Sequence, residues 1–287
     1  MKQLLILSGK GGTGKTTIAS AFIKLSKARA YADCDVDAPN LHLITDQNFE
    51  PKIKDYYGLP KAEIDQDLCI GCDLCRKNCR FDAILHDKIY EIDAFACEGC
   101  GVCELVCPAN AITMKPAVAG ELKLFEEGGN VFSTAQLKMG SGTSGMLVTE
   151  VKKQMKYAVE DVELAIIDGS PGIGCPVIAS ISGVDMFLIV AEPSISGISD
   201  LERIIKTASS FGTKAVVCTN KFDTNIKNSR KSEEFCKINN LPFTGQIPYD
   251  LDAVRAINKG KSIAEIDCSS GIAVKEVYTK TMRLLFE

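Results

Sequence analysis

Nine residues near the start of the chain limit its fold more than anything that follows. Gly9 to Thr17 read GKGGTGKTT, directly after the apolar run KQLLILS, Lys2 to Ser8. A short apolar run of this kind suits a strand buried on both faces of a parallel sheet. The embedded spacing, Gly9-x4-Gly14-Lys15-Thr16, is that of a phosphate-binding loop. Glycines let backbone N–H groups curl around phosphate oxygens, and a helix N-terminus behind them favours negative charge. Gly11, Gly12, Thr13, Gly14, Lys15, Thr16 and Thr17 are therefore the expected nucleotide cradle. Lys15 would reach the β- and γ-phosphates, and the Thr16 hydroxyl would sit on Mg²⁺. Strand, loop and the apolar helix expected over Ile18–Leu25 occur in the order such a site needs.

Carboxylates at the ends of later apolar runs complete this reading. A second strand, Ala28–Asp33, leads into Asp33-Cys34-Asp35-Val36-Asp37. In an open α/β sheet the carboxyl ends of strands line the ligand crevice. A carboxylate there can hold Mg²⁺ or a water that attacks the γ-phosphate. Leu164–Ile167 is another buried strand, and it ends in Asp168, the expected Mg²⁺ carboxylate. Gly169, Gly172 and Gly174 follow, in a backbone free to reposition when a γ-phosphate arrives.

The other strong signal is a repeat of cysteines. CIGCDLCRKNC (Cys69–Cys79) and CEGCGVCELVC (Cys97–Cys107) both read C-x2-C-x2-C-x3-C, and an Ala-Ile pair recurs after each. This is the bacterial two-cluster ferredoxin pattern, in which the fourth cysteine of each run serves the other cluster. Cys69, Cys72, Cys75 and Cys107 are thus expected on one 4Fe–4S cluster, and Cys79, Cys97, Cys100 and Cys103 on the other. Two four-cysteine zinc sites are the rival arrangement; the three-cysteine runs favour clusters. The chain holds 13 cysteines, and this crowding suits metal rather than disulfides in a reducing compartment.

The loop with its early lysine, Lys10-Gly-Gly-Thr-Gly-Lys-Thr-Thr, resembles the deviant Walker A motif of the MinD/ParA/Mrp superfamily of P-loop ATPases. The resemblance covers the chain before about residue 63 and after about residue 114, and the middle resembles a bacterial ferredoxin. It implies that Lys10 crosses a dimer interface to the partner's nucleotide, and that ATP drives homodimerisation. It also implies that Asp35 orients the attacking water while Asp33 supports Mg²⁺. Asn220, at the end of the strand Ala215–Thr219, would contact the purine, and Pro248 and Asp250 would lie on a second base-contacting loop. Asn220-Lys-Phe-Asp223 also fits the guanine-reading N-K-x-D pattern, so GTP is the lesser alternative to ATP. DGSPGIGCP, from Asp168, resembles the superfamily's switch II, and Cys175 within it stands where the nitrogenase iron protein has a cluster cysteine nearby. Cys175 is accordingly either a redox or switch cysteine or a packing residue.

The expected architecture is α/β: a doubly wound, mostly parallel P-loop sheet over 1–62 and 115–287, with an inserted two-cluster ferredoxin domain over 63–114. The expected activity is ATP hydrolysis, coupled in a nucleotide-dependent homodimer to electron transfer through two 4Fe–4S clusters. A cluster-assembly or maturation ATPase and a MinD/ParA-like spatial organiser with a redox-sensing insert are the alternatives. ATP, Mg²⁺ and the two clusters are the expected cofactors, and an unidentified client or redox protein the expected partner. A net charge of −4 gives no broad attraction for nucleic acid. The absence of a signal peptide and of membrane-length apolar runs leads to a cytoplasmic expectation.

Overall fold

The computed structural model describes residues 1–45 and 50–287. The first unit is β1 (Lys2–Leu7), the loop, α1 (Lys15–Ser26) and β2 (Ala30–Asp33). Strand residues alternate faces. In β1, Leu5 and Leu7 enter one core layer, and Leu4 and Ile6 enter the other. A strand buried on both sides cannot show a polar alternation, which is why KQLLIL reads as a continuous apolar run.

After β2 the chain departs from simple alternation. An edge strand β3 (Lys52–Tyr57) precedes β4 (Lys61–Ile64), α2 (Leu74–Asn78), β5 (Ile84–His86), β6 (Tyr90–Ile92), α3 (Val102–Leu105) and β7 (Ile112–Lys115). The chain then returns through β8 (Val118–Glu127) and β9 (Asn130–Leu137), an antiparallel hairpin turned at Gly128 and Gly129, both at positive φ. The helical units resume with α4 (Ser144–Ala158), β10 (Leu164–Asp168), α5 (Cys175–Ile181), β11 (Met186–Ala191) and α6 (Ile195–Ala208). The last are β12 (Lys214–Asn220), α7 (Ile226–Ile238), β13 (Phe243–Ile247), α8 (Leu251–Ile257) and α9 (Ser269–Phe286).

The main sheet runs β13-β12-β11-β1-β10-β2-β9-β8-β3. From β13 to β9 every neighbouring pair is parallel, so the nucleotide-side loops all leave from one edge. α4, α5, α6 and α7 cover one face through Leu147, Ile181, Leu201 and Cys236. α1, α8 and α9 cover the other through Phe22, Ala253 and Val274. α4 buries Leu147, Val148, Val151 and Met155, one stripe at helical spacing. α9 buries Val274, Val277 and Leu285 in the core, while Ile272 and Phe286 stay exposed. Among the described residues no helix is long and apolar enough to cross a membrane.

The segment between β3 and β8 packs as a unit of its own. β4 pairs antiparallel with β7, with Lys61 opposite Lys115, and β5 pairs with β6. Its closing pair thus lies at 61 and 115, slightly outside the 63–114 read from composition. Ala62, Ile84, Tyr90 and Ile112 form a separate small core with the cysteines. The sequence repeat is also a structural repeat. Asp65 N donates to Ala111 O and Asp93 N to Ala83 O, and each aspartate's carbonyl accepts from the first cysteine of its run. Each aspartate side chain also accepts the N–H two residues on, Asp67 in one copy and Phe95 in the other.

Candidate functional site

β1 delivers the loop to the carboxyl edge of the sheet, where Gly12 (φ 78°) and Gly14 (φ 92°) take left-handed conformations. Gly14 is required twice. Its φ disfavours any L side chain, and a Cβ there would stand 2.2 Å from Asn220 Nδ2. α1 starts at once, with no side-chain cap and no acid in its first turn. Its first N–H groups therefore face open space, an arrangement suited to an anion. A cavity of about 420 Å³ opens there, in the range of small-ligand sites. Gly11 through Thr17 line one wall, and Asp35, Asn220, Pro248 and Asp250 line others. The sequence expectation brought these residues together, and the structure does place them around one space.

Behind the loop, Lys15 Nζ lies 2.6 Å from Asp168 Oδ1, with the lysine 6% and the aspartate 0% exposed. The other oxygen, Asp168 Oδ2, is buried without a hydrogen-bond partner. Thr16 Oγ1 is 3.4 Å from the same ammonium. Burial by itself would lower the Lys15 pKa, but Asp168, Asp33 and Asp35 together raise it. Asp33 is fully buried, and its oxygens accept from Asp35 N (3.0 Å), Asn40 N and Leu41 N (both 2.9 Å). These bonds set the path of the loop that carries Asp35. Burial and then the Asp168 charge push the Asp33 carboxyl up to about 7. Burial also raises Asp35. One ammonium among three carboxylates leaves surplus negative charge, and the unpartnered Asp168 oxygen gives it a direction. That free Asp168 oxygen and the Thr16 hydroxyl are hard oxygen donors of the kind Mg²⁺ takes.

Lys10 behaves differently from its loop neighbours. It does not line the cavity. Its Nζ lies 2.6 Å from Glu192 Oε2 and within reach of Ser194 and Ser196 Oγ, at 3.5 and 3.3 Å. Glu192 escaped the sequence reading, although it obeys the same rule as the other acids: it immediately follows a buried strand, β11. Asn220 donates to Thr13 O at 2.7 Å, so its amide braces the phosphate loop. Lys221 Nζ donates to Gly12 O and Asp223 Oδ1 accepts from Tyr249 N. The lysine and aspartate of the N-K-x-D sequence are thus engaged inside the chain. Asp250 accepts from Ser269 Oγ, Asp252 N and Ser270 N, joining α8 to the start of α9. The Ser269 bond and these N–H groups hold its carboxyl far below the usual range.

The cysteines sort into two groups. Cys69, Cys72, Cys75 and Cys107 surround one small internal space, together with Ile64, Tyr90 and Ile112. Cys79, Cys97, Cys100 and Cys103 surround a second, together with Ala62, Ile84 and Met114. Left-handed turns recur in both runs, at Gly71 and Asp73 and again at Gly99 and Gly101. Burial raises the Cys75 and Cys103 thiols. Among the described residues, no three His, Cys, Asp or Glu side chains converge closely enough to hold a single metal ion. Cys175 is exposed at the start of α5, and belongs to neither group. Cys34, Cys218 and Cys236 are buried elsewhere.

Residues 4–263 match the CobQ/CobB/MinD/ParA nucleotide binding domain. The chain belongs to that family. A relative at 34% identity, an uncharacterized protein of Methanocaldococcus jannaschii, aligns over 97% of this chain and 95% of its own length. The septum site-determining protein MinD of Bacillus subtilis is 24% identical, over 92% of this chain and 82% of its own. MinD from Pyrococcus horikoshii, solved with Mg-ADP, superposes with a TM-score of 0.59 at 16% identity, covering 99% of this chain and 96% of that one. That likeness speaks for the shared fold: an α/β P-loop domain on a mostly parallel sheet. In this MinD/ParA-family chain the phosphate-type loop, Asp168 and the strand-end acids Asp33 and Asp35 lie on one rim of the sheet. α9 begins at Ser269, after the matched span, whereas the cysteine segment lies inside it.

Proposed function

We propose that this chain is a nucleotide-switched ATPase that binds Mg·ATP, closes as a homodimer and hydrolyses the γ-phosphate bond. The observation that carries the reading is the buried Lys15–Asp168 pair with its unpartnered Asp168 oxygen, set behind an uncapped helix N-terminus. With nucleotide bound, Lys15 would leave Asp168 for the phosphates, and Asp168 and the Thr16 hydroxyl would hold Mg²⁺, with Asp33 in support. Asp35 holds the attacking water by its carboxylate. Lys10 leaves Glu192 and adds its charge to the partner subunit's nucleotide. Asn220, Pro248 and Asp250 form the base side, and ATP is the nucleotide. We also assign Cys69, Cys72, Cys75 and Cys107 to one 4Fe–4S cluster and Cys79, Cys97, Cys100 and Cys103 to a second. The two copies of the three-cysteine run, sorted into two separate groups of four, support this over zinc. When bound, such clusters supply one-electron transfer, and the chain's part is to hold them on fully thiolate ligation and limit their access to water. Complete ligation favours carrying electrons over handing a cluster to a client. The work belongs in the cytoplasm.

Similarity to septum site-determining proteins favours a second reading, a MinD-like spatial organiser in which the cysteine segment senses redox state. One anaerobic experiment separates these readings: ATP hydrolysis and iron content of the purified chain, with sedimentation on lipid vesicles. Mg²⁺-dependent hydrolysis lost in Lys15→Ala, with bound iron and no ATP-dependent vesicle binding, supports the first. Iron-free protein recruited to vesicles by ATP supports the second.

A further inference from the structure

The two cysteine runs match in sequence but not in surroundings. Aligning them pairs Asp67 with Phe95, Leu68 with Ala96, Ile70 with Glu98 and Gly71 with Gly99. In the second run these positions lie against the rest of the chain. A Cβ at Gly99 would run into Pro60 O and stand 3.0 Å from the Leu59 Cβ. The Lys61 ammonium donates to Cys97 O. A Cβ at Gly140 would stand 3.3 Å from the Phe95 ring, and one at Gly142 would stand 3.1 Å from Glu98 Oε2. Cys97 is buried under this cover.

The first run has the same backbone and no cover. Gly71 takes the same left-handed turn as Gly99, φ 67° against 68°, yet a Cβ there would meet nothing within 4 Å. The residues matched to Leu59, Pro60 and Lys61 are Asp87, Lys88 and Ile89. They form the turn from β5 to β6 and leave Gly71 open. Ile70 is 69% exposed and Leu68 51%, and Cys69 is only half-buried. Ile70 also borders the space among Cys69, Cys72, Cys75 and Cys107. Single exposed apolar residues are ordinary. Here the same molecule displays the equivalent face once filled and once bare.

We propose that Leu68, Ile70 and Gly71 form a docking face for a separate basic protein, which lays an extended apolar segment with a lysine or arginine over the Cys69 group. The second run is the template for this occupant. Its cover is Leu59-Pro60-Lys61: an apolar side chain, a proline and an ammonium placed on a backbone carbonyl. Proline suits such a segment because it favours extended backbone and carries no N–H that needs a partner. Charge selects the same chemistry. Asp65 and Asp67 border the face and are exposed, and Asp67 pairs with no lysine or arginine among the described residues. Asp73, by contrast, is neutralised by Arg76 at 2.6 Å. Surplus negative charge around a small apolar centre fits a partner with a basic rim. A second copy docked face to face would set these acids against each other.

The inference rests on the electron-carrying reading proposed above, which needs a protein partner at one of the cysteine groups; the chain itself already covers the second run. The probe is cytochrome c, a small basic haem protein, added at low salt to the full anaerobically purified chain with both proteins oxidised. Binding is measured by calorimetry, and iron content on the same samples. Asp67→Lys should weaken binding about tenfold or more and Ile70→Ser about threefold or more, both with iron content unchanged. Glu202→Lys, which reverses an exposed acid on α6, should leave the affinity unchanged. A large excess of the peptide Tyr57-Gly58-Leu59-Pro60-Lys61-Ala62 should displace cytochrome c. No binding by the iron-loaded wild-type chain, or wild-type affinity in both face variants, overturns the inference and leaves the cluster reading standing. Equal weakening by Glu202→Lys overturns it too, as does a peptide that leaves cytochrome c in place. Self-association that Ile70→Ser abolishes gives the face to a second copy and likewise overturns it. An iron-free chain refutes the cluster reading, and the inference with it.

Discussion

Without nucleotide, the Lys15–Asp168 pair is a stability element, and its strength can be worked out. The charges stand 2.6 Å apart with almost no solvent access on either side. At an effective dielectric near 20, their gross attraction is about 6 kcal/mol. Desolvation offsets much of this, and breaking such a pair by removing one partner costs about 3–5 kcal/mol. Lys15→Met leaves Asp168 and Asp33 facing each other without a cation. Asp168→Asn takes away the buried ammonium's ion-pair partner and leaves it Asp33 and Asp35. Each single variant should therefore lose about 3–5 kcal/mol of unfolding free energy in urea with nucleotide and Mg²⁺ absent. The double variant keeps neither charge, so it should lose at least about 2 kcal/mol less than the sum of the two. Additivity within about 0.5 kcal/mol refutes the reasoning, because it means the groups do not feel each other in the folded chain. On the proposed binding of Mg·ATP the same pair would open, and part of the binding energy would go into separating it.

Four further outcomes are expected. The Asp33 carboxyl is raised to about 7 from the ordinary 3.8, so the folded chain holds a proton there that the unfolded chain releases. Metal-free stability should fall as pH rises through that window, and urea melts of Asp33→Asn should show a flatter pH profile. Gly14→Ala puts a Cβ onto the Asn220 amide at φ 92°, and should weaken ATP binding in calorimetry by about tenfold or more. Lys10→Ala should bind nucleotide as a monomer yet fail to dimerise, whereas Glu192→Gln releases Lys10 and should dimerise at lower ATP; both are read by light scattering. Cys72→Ser and Cys100→Ser should each remove roughly half of about eight bound irons per chain, measured by metal analysis with absorbance near the visible thiolate band.

What could be read from sequence was local. The phosphate loop and the cysteine repeat are contiguous patterns whose spacing is set by covalent geometry, and strand-end acids follow a rule that needs only one strand at a time. The missed features depend on pairings across the sheet. Lys10 meets Glu192 because β1 and β11 are neighbours, and Lys15 meets Asp168 because β1 and β10 are. Nothing local to residue 10 or 15 specifies those neighbours. Asn220 looked like a base contact; its bond to Thr13 O shows a brace as well, visible only once β12 is placed in the sheet. The β4–β7 pair that closes the cysteine segment stayed hidden for a related reason. β4 and β7 are four-residue strands whose burial comes from each other and not from a strong alternation of their own. Element ends shifted likewise: α1 starts at Lys15 because the loop itself nucleates it, before the apolar stripe begins at Ile18.

The pairing of Lys61 with Lys115 bears on how the cysteine segment is joined to the main sheet. Opposed residues in an antiparallel ladder sit only about 5 Å apart, so the segment between them enters and leaves through one narrow doorway. Enlarging a loop whose ends are already fixed costs little, about 0.6 kcal/mol of closure entropy for each doubling of length. The β3–β8 pairing lies just outside this doorway, so the chain passes between the main sheet and the cysteine segment through the short stretches 58–60 and 116–117, and strain in the segment reaches the sheet through that neck.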